Sequence, residues 1–145
     1  MKPLAILLVE DHPINQMIAT LLLEKLGHNV VAANDGQAAV DQFPQATWDL
    51  ILMDIQMPVM DGLQATRLIR AMEQPNHRTP IVAMTANTGE TEQQACLEAG
   101  MDEHLSKPVS VIAIDQLLAR LANISNAGKV LPSSISKNAP PPVEM

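Results

Sequence analysis

Aromatic residues are nearly absent from this 145-residue chain, which has no tyrosine, one phenylalanine (Phe43) and one tryptophan (Trp48). Single-stranded nucleic acid is bound on stacked aromatic faces, so that class of function is excluded first. Basic residues are also scarce, nine against sixteen acids, and the net charge of −7 removes the electrostatic footprint of general nucleic-acid binding. One cysteine, Cys96, rules out an intrachain disulfide framework and a multi-cysteine zinc site. No apolar run approaches a membrane span, and the run after Met1-Lys2-Pro3 is too short for a signal-peptide core. What the chain does have is 47% hydrophobic residues, with nine methionines among them. At about one domain's length this suffices for a core of Leu, Ile, Val, Ala and Met. The expectation is an acidic, cytoplasmic domain with no nucleic-acid partner and no direct membrane contact.

Charge and composition divide the chain. Residues 1–125 carry seven bases and fifteen acids, whereas residues 126–145 carry two bases and one acid. The segment from Asn126 through Pro140-Pro141-Pro142 is rich in Ser, Pro and Asn and lacks apolar periodicity. It reads as a linker, semi-rigid at the proline run. The expected division is therefore a domain over 1–122 and a flexible tail over 123–145, with Pro142-Val143-Glu144-Met145 read as a cut within a linker.

Before the tail, short apolar runs alternate with helical patterns. Strands are expected at Leu4–Val9, Val30–Ala33, Leu50–Met53, Ile81–Met84 and Glu103–Leu105. Helices are expected after Pro13, where Ile14, Met17, Ile18, Leu21, Leu22 and Leu26 recur at helical spacing before Gly27, then at Gly36–Phe43, Leu63–Met72 and Glu90–Ala99. A terminal helix carries Val111, Ile114, Leu117, Leu118 and Leu121 on one face, with Ser110 as its cap. Five strands alternating with five helices imply an α/β fold, a parallel sheet covered on both faces. In such sheets ligands bind beyond the carboxyl ends of the strands.

Those ends carry chemistry. Glu10 and Asp11 follow the first strand, Asp54 the third, Thr85 the fourth, and Ser106-Lys107-Pro108 the fifth. A lone Asp after a strand is usually a helix cap, and a lone Lys is usually solvated. Their arrival on four strand ends of one alternating pattern outweighs the bland reading. Crowded carboxylates repel and raise one another's pKa, so the cluster suits a cation. Oxygen-only ligands favour a hard ion, and Mg²⁺ keeps room for a phosphate oxygen. Lys107 and the Thr85 hydroxyl suit further phosphate oxygens, and an Asp in this setting is a nucleophile toward phosphorus. Asn34-Asp35-Gly36 and Asp61-Gly62 read as turns with helix caps and no chemistry.

The segments Leu7-Leu8-Val9-Glu10-Asp11, Leu52-Met53-Asp54 through Asp61-Gly62, Ile81-Val82-Ala83-Met84-Thr85-Ala86 and Leu105-Ser106-Lys107-Pro108 resemble those of the CheY-like receiver domain of two-component response regulators. The resemblance runs from about Leu4 to Leu121. It implies a flavodoxin-like (βα)5 three-layer sandwich with strand order 2-1-3-4-5. It also implies that Asp54 accepts a phosphoryl group from a phosphohistidine, that Glu10, Asp11, Asp54 and the main chain of Gln56 hold Mg²⁺, and that Thr85 and Lys107 meet the phosphate. The Lys107–Pro108 bond is expected to be cis by the same likeness. The segments Glu10-Asp11-His12-Pro13-Ile14-Asn15-Gln16 and Met53–Pro58 resemble receivers fused to hybrid sensor histidine kinases. This implies a histidine kinase or histidine phosphotransfer domain as partner and a parent chain anchored in the inner membrane. The family's face for output or dimerisation comprises the fourth helix, fifth strand and terminal helix.

Against the family pattern, His104 stands where a switch Tyr or Phe is usual, three residues before Lys107, and either serves as the switch with Thr85 or is a spectator. His12 is read as a solvated loop residue, His28 and His77 as solvated turn residues, Cys96 as a packing residue, and Met53, Met57, Met60, Met72, Met84 and Met101 as gap fillers. Catalysis by the domain itself extends only to its own phosphorylation and dephosphorylation. The alternatives are a stand-alone or degenerate receiver that only docks proteins, and a Mg²⁺-dependent aspartyl-phosphate phosphohydrolase. The latter wants a second Asp two residues after the first, where this chain has Gln56. A nucleotide-binding domain is disfavoured because no glycine-rich turn follows the first strand.

Overall fold

A computed structural model of the chain describes residues 3–57, 60–75, 77–86 and 89–130, the last nine by backbone alone. The chain falls into two compact units, Met1–Val111 and Ile112–Met145. In the first, β1 (Ala5–Val9), α1 (Pro13–Lys25), β2 (Asn29–Ala33), α2 (Gly36–Gln42), β3 (Leu50–Asp54), α3 (Gly62–Met72), β4 (Ile81–Thr85), α4 (Glu90–Ala99) and β5 (Glu103–Ser106) follow in order. The second contains α5 (Val111–Val130), which begins at the boundary.

All strand pairs are parallel and the sheet order is β2-β1-β3-β4-β5, as the receiver resemblance implies. The chain steps from β1 to β2 in one direction and then returns past β1 to β3, β4 and β5. With right-handed crossovers, that reversal puts α1 on one face of the sheet and α2, α3 and α4 on the other. It also leaves a crevice between β1 and β3 at their carboxyl ends. The fold is flavodoxin-like, with five parallel strands and five helices.

The apolar runs become strands because both faces are covered: Ile6, Leu7, Leu8 and Val9, and Leu50, Ile51, Leu52 and Met53, are fully buried. One face of the core joins Leu7, Val9, Ile51, Met53, Ile81 and Ala83 to Ala39, Ala65, Ile69 and Cys96. Three helix starts differ in how they are held. Asp35 accepts a hydrogen bond from the Ala38 N–H and Asp61 from the Gln64 N–H, each at 2.8 Å, whereas His12 gives α1 no side-chain cap.

Several expectations need correction. Ile14, Met17, Ile18 and Leu21 do recur at helical spacing, but they lie on the exposed side of α1, and Ala19 and Leu23 are its buried residues. Helix α2 ends one residue early, in a 3-10 turn over Phe43–Gln45, because Pro44 cannot continue the α-helical hydrogen-bond pattern. His28 is buried, not solvated: its Nδ1 accepts the Leu4 N–H at 3.1 Å, which ties the start of β1 to the α1–β2 turn. Met72 is exposed, whereas Met53, Met57, Met84 and Met101 fill the core. The backbone of α5 runs to Val130. Ser, Asn and Gly lower helix propensity there, but no proline stops the chain before Pro132. The proline-rich stretch, with Pro58 and Val59 of the second matching segment, lies outside the described residues.

Candidate phosphoryl and metal site

The residues singled out at the strand ends do meet. Glu10 and Asp11 leave β1, Asp54 ends β3, Thr85 ends β4 and Lys107 follows β5, and one pocket is lined by all five together with His12, Asn15, Ile55, Gln56, Met84 and Ala86. Carboxylate oxygens of Glu10, Asp11 and Asp54 lie within 4.8 Å of one another. Glu10 and Asp54 are buried, and Asp11 is exposed at the mouth.

Each buried acid divides its oxygens in the same way. Asp54 Oδ1 accepts the Gln56 N–H at 3.1 Å, and Oδ2 lies 3.0 Å from Lys107 Nζ. Glu10 Oε2 accepts the His12 N–H at 3.1 Å, and Oε1 lies 3.0 Å from the same Nζ. A single ammonium thus serves two buried carboxylates. Burial pulls the Lys107 pKa down, but its hydrogen bonds to Asp54 and Glu10 outweigh burial and carry it above its ordinary value. Burial pushes Asp54 up to about 6, against the Lys107 hydrogen bond and with the added push of the Glu10 charge. Negative charge is in surplus even with Lys107 in place. Three carboxylates with no imidazole or thiolate among them suit a hard divalent cation, which would offset that surplus.

The walls come from the fold. The Lys107 N–H donates to the Thr85 carbonyl at 2.9 Å, and the Lys107–Pro108 peptide is cis, as the receiver resemblance implied. Gly62 opens α3 directly over β3: its N–H donates to the Ile55 carbonyl at 2.9 Å, and a Cβ there would collide with the Asp54 carbonyl oxygen. Asp61 is the cap that its place in the sequence predicts, whereas the close approach at Gly62 arises from strand–helix packing and has no local sequence signal. Asn34 is more than the turn residue that the sequence predicts, because its Oδ1 accepts a hydrogen bond from Gln16 Nε2 at 2.9 Å. His104 sits on β5 opposite Ala83, half-buried.

The comparisons agree with this geometry. The response regulator receiver domain family matches residues 6–122. The sensor protein GacS of Pseudomonas syringae pv. syringae is 42% identical over 122 residues, covering 83% of this chain and 14% of GacS. The aerobic respiration control sensor protein ArcB of Escherichia coli K12 is 42% identical over 117 residues, 81% of this chain and 15% of ArcB. The chain therefore spans about one-seventh of the length of these relatives. Among solved structures, the receiver domain of sensor histidine kinase PA1611 from Pseudomonas aeruginosa PAO1, crystallised with a magnesium ion in its active-site cleft, superimposes with a TM-score of 0.76 at 41% identity, covering 84% of this chain and 99% of that one. The Saccharomyces cerevisiae co-crystal of phosphotransfer protein Ypd1 with the Ssk1 receiver domain gives 0.77 at 29%, covering 85% and 91%. The fold and the strand-end cluster define a receiver, and the chain belongs to the response regulator receiver domain family. GacS and ArcB, which it matches over about one-seventh of their length, are sensor proteins.

Proposed function

We propose that this chain is the phosphoaccepting receiver of a phosphorelay, within a hybrid histidine kinase, and that Asp54 is the acceptor. The observation that carries the reading is the convergence of Glu10, Asp11, Asp54 and Lys107 at one crevice, with surplus negative charge. An Asp54 oxygen attacks phosphorus as the phosphorus–nitrogen bond to the partner's histidine breaks, giving an acyl phosphate and a free imidazole. Glu10, Asp11, Asp54 and the Gln56 carbonyl would hold Mg²⁺. When bound, the ion neutralises charge on the transferring phosphoryl group. Lys107 then pairs with a phosphoryl oxygen in place of a carboxylate, and the Thr85 hydroxyl follows the phosphate. His104 shares the resulting switch. The receiver spans 1–122, the remainder connects it to the rest of a longer chain, and the whole works on the cytoplasmic side.

The partner surface starts at the pocket rim. Asn15 lines the pocket, and Ile14, Met17, Ile18 and Leu21 expose 57%, 56%, 47% and 59% of their surface along one side of α1. Such a stripe suits the apolar face of a helical, histidine-bearing protein, whose side chain must reach Asp54 beside it.

Acetyl phosphate with Mg²⁺ is expected to add one phosphoryl group, located on Asp54 by mass spectrometry. An unmodified wild type, or an adduct that persists in Asp54→Asn, would defeat the proposal. Ile18→Asp is expected to slow transfer from a phosphohistidine protein at least about tenfold, the scale of losing an interfacial anchor, while acetyl phosphate labelling stays unchanged. Equal slowing with both donors would remove α1 from the docking surface.

A further inference from the structure

Only Glu10, Asp11 and His12 separate the end of β1 from the start of α1, so the metal-facing acids hang on a three-residue connection. Helix α1 begins without a side-chain cap and without an acidic residue in its first turn. The usual means of fixing such a corner is therefore missing. The Glu10 main chain is instead gripped from both sides. Its N–H donates to the Ala33 carbonyl at 3.1 Å, and its carbonyl accepts from Gln16 Nε2 at 3.0 Å. The same Nε2 donates its other proton to Asn34 Oδ1 at 2.9 Å. One carboxamide thus links the end of β1, the first turns of α1 and the residue after β2.

The consequence falls on Asp11. Among the described residues no hydrogen bond or ion pair holds its carboxylate, which is exposed at the pocket mouth. Its position relative to Glu10 and Asp54 is set by main chain alone: by the peptide that joins it to Glu10, and by the following peptide, whose His12 N–H donates to Glu10 Oε2 at 3.1 Å. If the Glu10 carbonyl loses its donor, the Glu10–Asp11 peptide can tilt, and the Asp11 oxygen moves with it.

We propose that Gln16 is a positioning residue for the acid pair, a bracket that holds the Glu10–Asp11 peptide in cation-binding geometry by joining it to Asn34. This role rests on the metal-binding reading given above. Partners of metal ligands that do not themselves touch the ion typically contribute about 10–100-fold to affinity.

Calorimetric titration of the whole chain with Mg²⁺ tests the bracket. Gln16→Met keeps length and helix propensity but has no donor, and it is expected to weaken Mg²⁺ binding about tenfold. Asn34→Ala is expected to weaken it less, because the Glu10 bond survives. The double variant is expected to match Gln16→Met alone, because Asn34 acts only through Gln16. Denaturation of each variant in EDTA reports folding separately from affinity. Gln16→Met binding Mg²⁺ as wild type does would overturn the bracket, and so would strictly additive losses in the double variant. Wild type that binds no Mg²⁺ would overturn the metal reading itself, an outcome distinct from either.

Discussion

At Asp54 the charge balance makes a pH prediction with a definite sign. Its carboxyl is raised from 3.8 to about 6 by burial and the Glu10 charge, against the Lys107 hydrogen bond. A raised folded-state pKa means that the folded chain holds the proton more tightly than the unfolded chain does. That contribution is fully present below the unfolded value and is lost as pH rises through the folded one. Lys107, also raised, loses its contribution only in the alkaline range above 10.5, outside this window. Metal-free protein is therefore expected to lose on the order of 3 kcal/mol from this group between about pH 4 and pH 6. Asp54→Asn, which mimics the protonated acid, is expected to equal wild type near pH 4 and exceed its stability at pH 8. Urea denaturation in EDTA at the two pH values checks this, and wild type outlasting the variant at pH 8 would show that Lys107 fully offsets the buried charge. Mg²⁺ should reverse the sign, because it binds more tightly to, and so stabilises more, the chain that keeps Asp54.

At the scale of elements, what the sequence makes legible is what periodicity and punctuation encode. Leu50-Ile51-Leu52-Met53 is a strand in any parallel sheet, and Asp35 and Asp61 announce the helices that they cap. The strand-end residues could be listed before any coordinate was known, since chain alternation dictates which residues emerge at the crevice. What stayed hidden depends on contacts between elements. The apolar spacing of α1 marks a helix but not which side the sheet covers, because Ala19 and Leu23 suffice for its buried side. His28 and Gln16 look like solvated polar residues until β1 and β2 are laid beside them. Gly62 is the clearest case, a turn glycine by sequence and a packing requirement in space. Its missing Cβ lets α3 start against the Asp54 carbonyl. Gly62→Ala is expected to cost about 1–3 kcal/mol by overpacking and to slow Asp54 labelling, since the backbone carrying the acceptor must give way. Denaturation and acetyl phosphate kinetics on one preparation check both effects. An alanine variant with wild-type stability would show that α3 can shift without loss.

At the scale of the whole sheet, chemistry and cohesion occupy opposite ends. The carboxyl ends of the strands carry the surplus negative charge of Glu10, Asp11 and Asp54. At the other end of β4, Asp102 accepts from Arg70 Nη2 at 2.8 Å, from Arg78 Nη2 at 2.8 Å and from the Ile81 N–H at 2.9 Å. Arg70 also donates to the carbonyls of Gly100 and Thr79 and pairs with Glu73 at 2.9 Å. This network binds the end of α3 to the start of β4 and the turn before β5, across 32 residues of sequence between Arg70 and Asp102. No local pattern in the chain could reveal it. Arg78 is mostly exposed and adds little, but Arg70 is nearly buried, and losing Asp102 would leave it Glu73 as its one carboxylate and deprive the Ile81 N–H of its acceptor. Asp102→Ala is therefore expected to lower unfolding stability by about 2–4 kcal/mol. Its Mg²⁺ dissociation constant should stay within about twofold of wild type, because distant sites act independently. Asp11→Asn is expected to do the converse, weakening Mg²⁺ binding while leaving metal-free stability almost unchanged, since its exposed carboxylate holds no partner among the described residues. Denaturation in EDTA and Mg²⁺ calorimetry on the two variants separate the ends. If Asp102→Ala weakened Mg²⁺ binding as strongly as Asp11→Asn does, the two ends of the sheet would be coupled, and stability could not be tuned apart from the site.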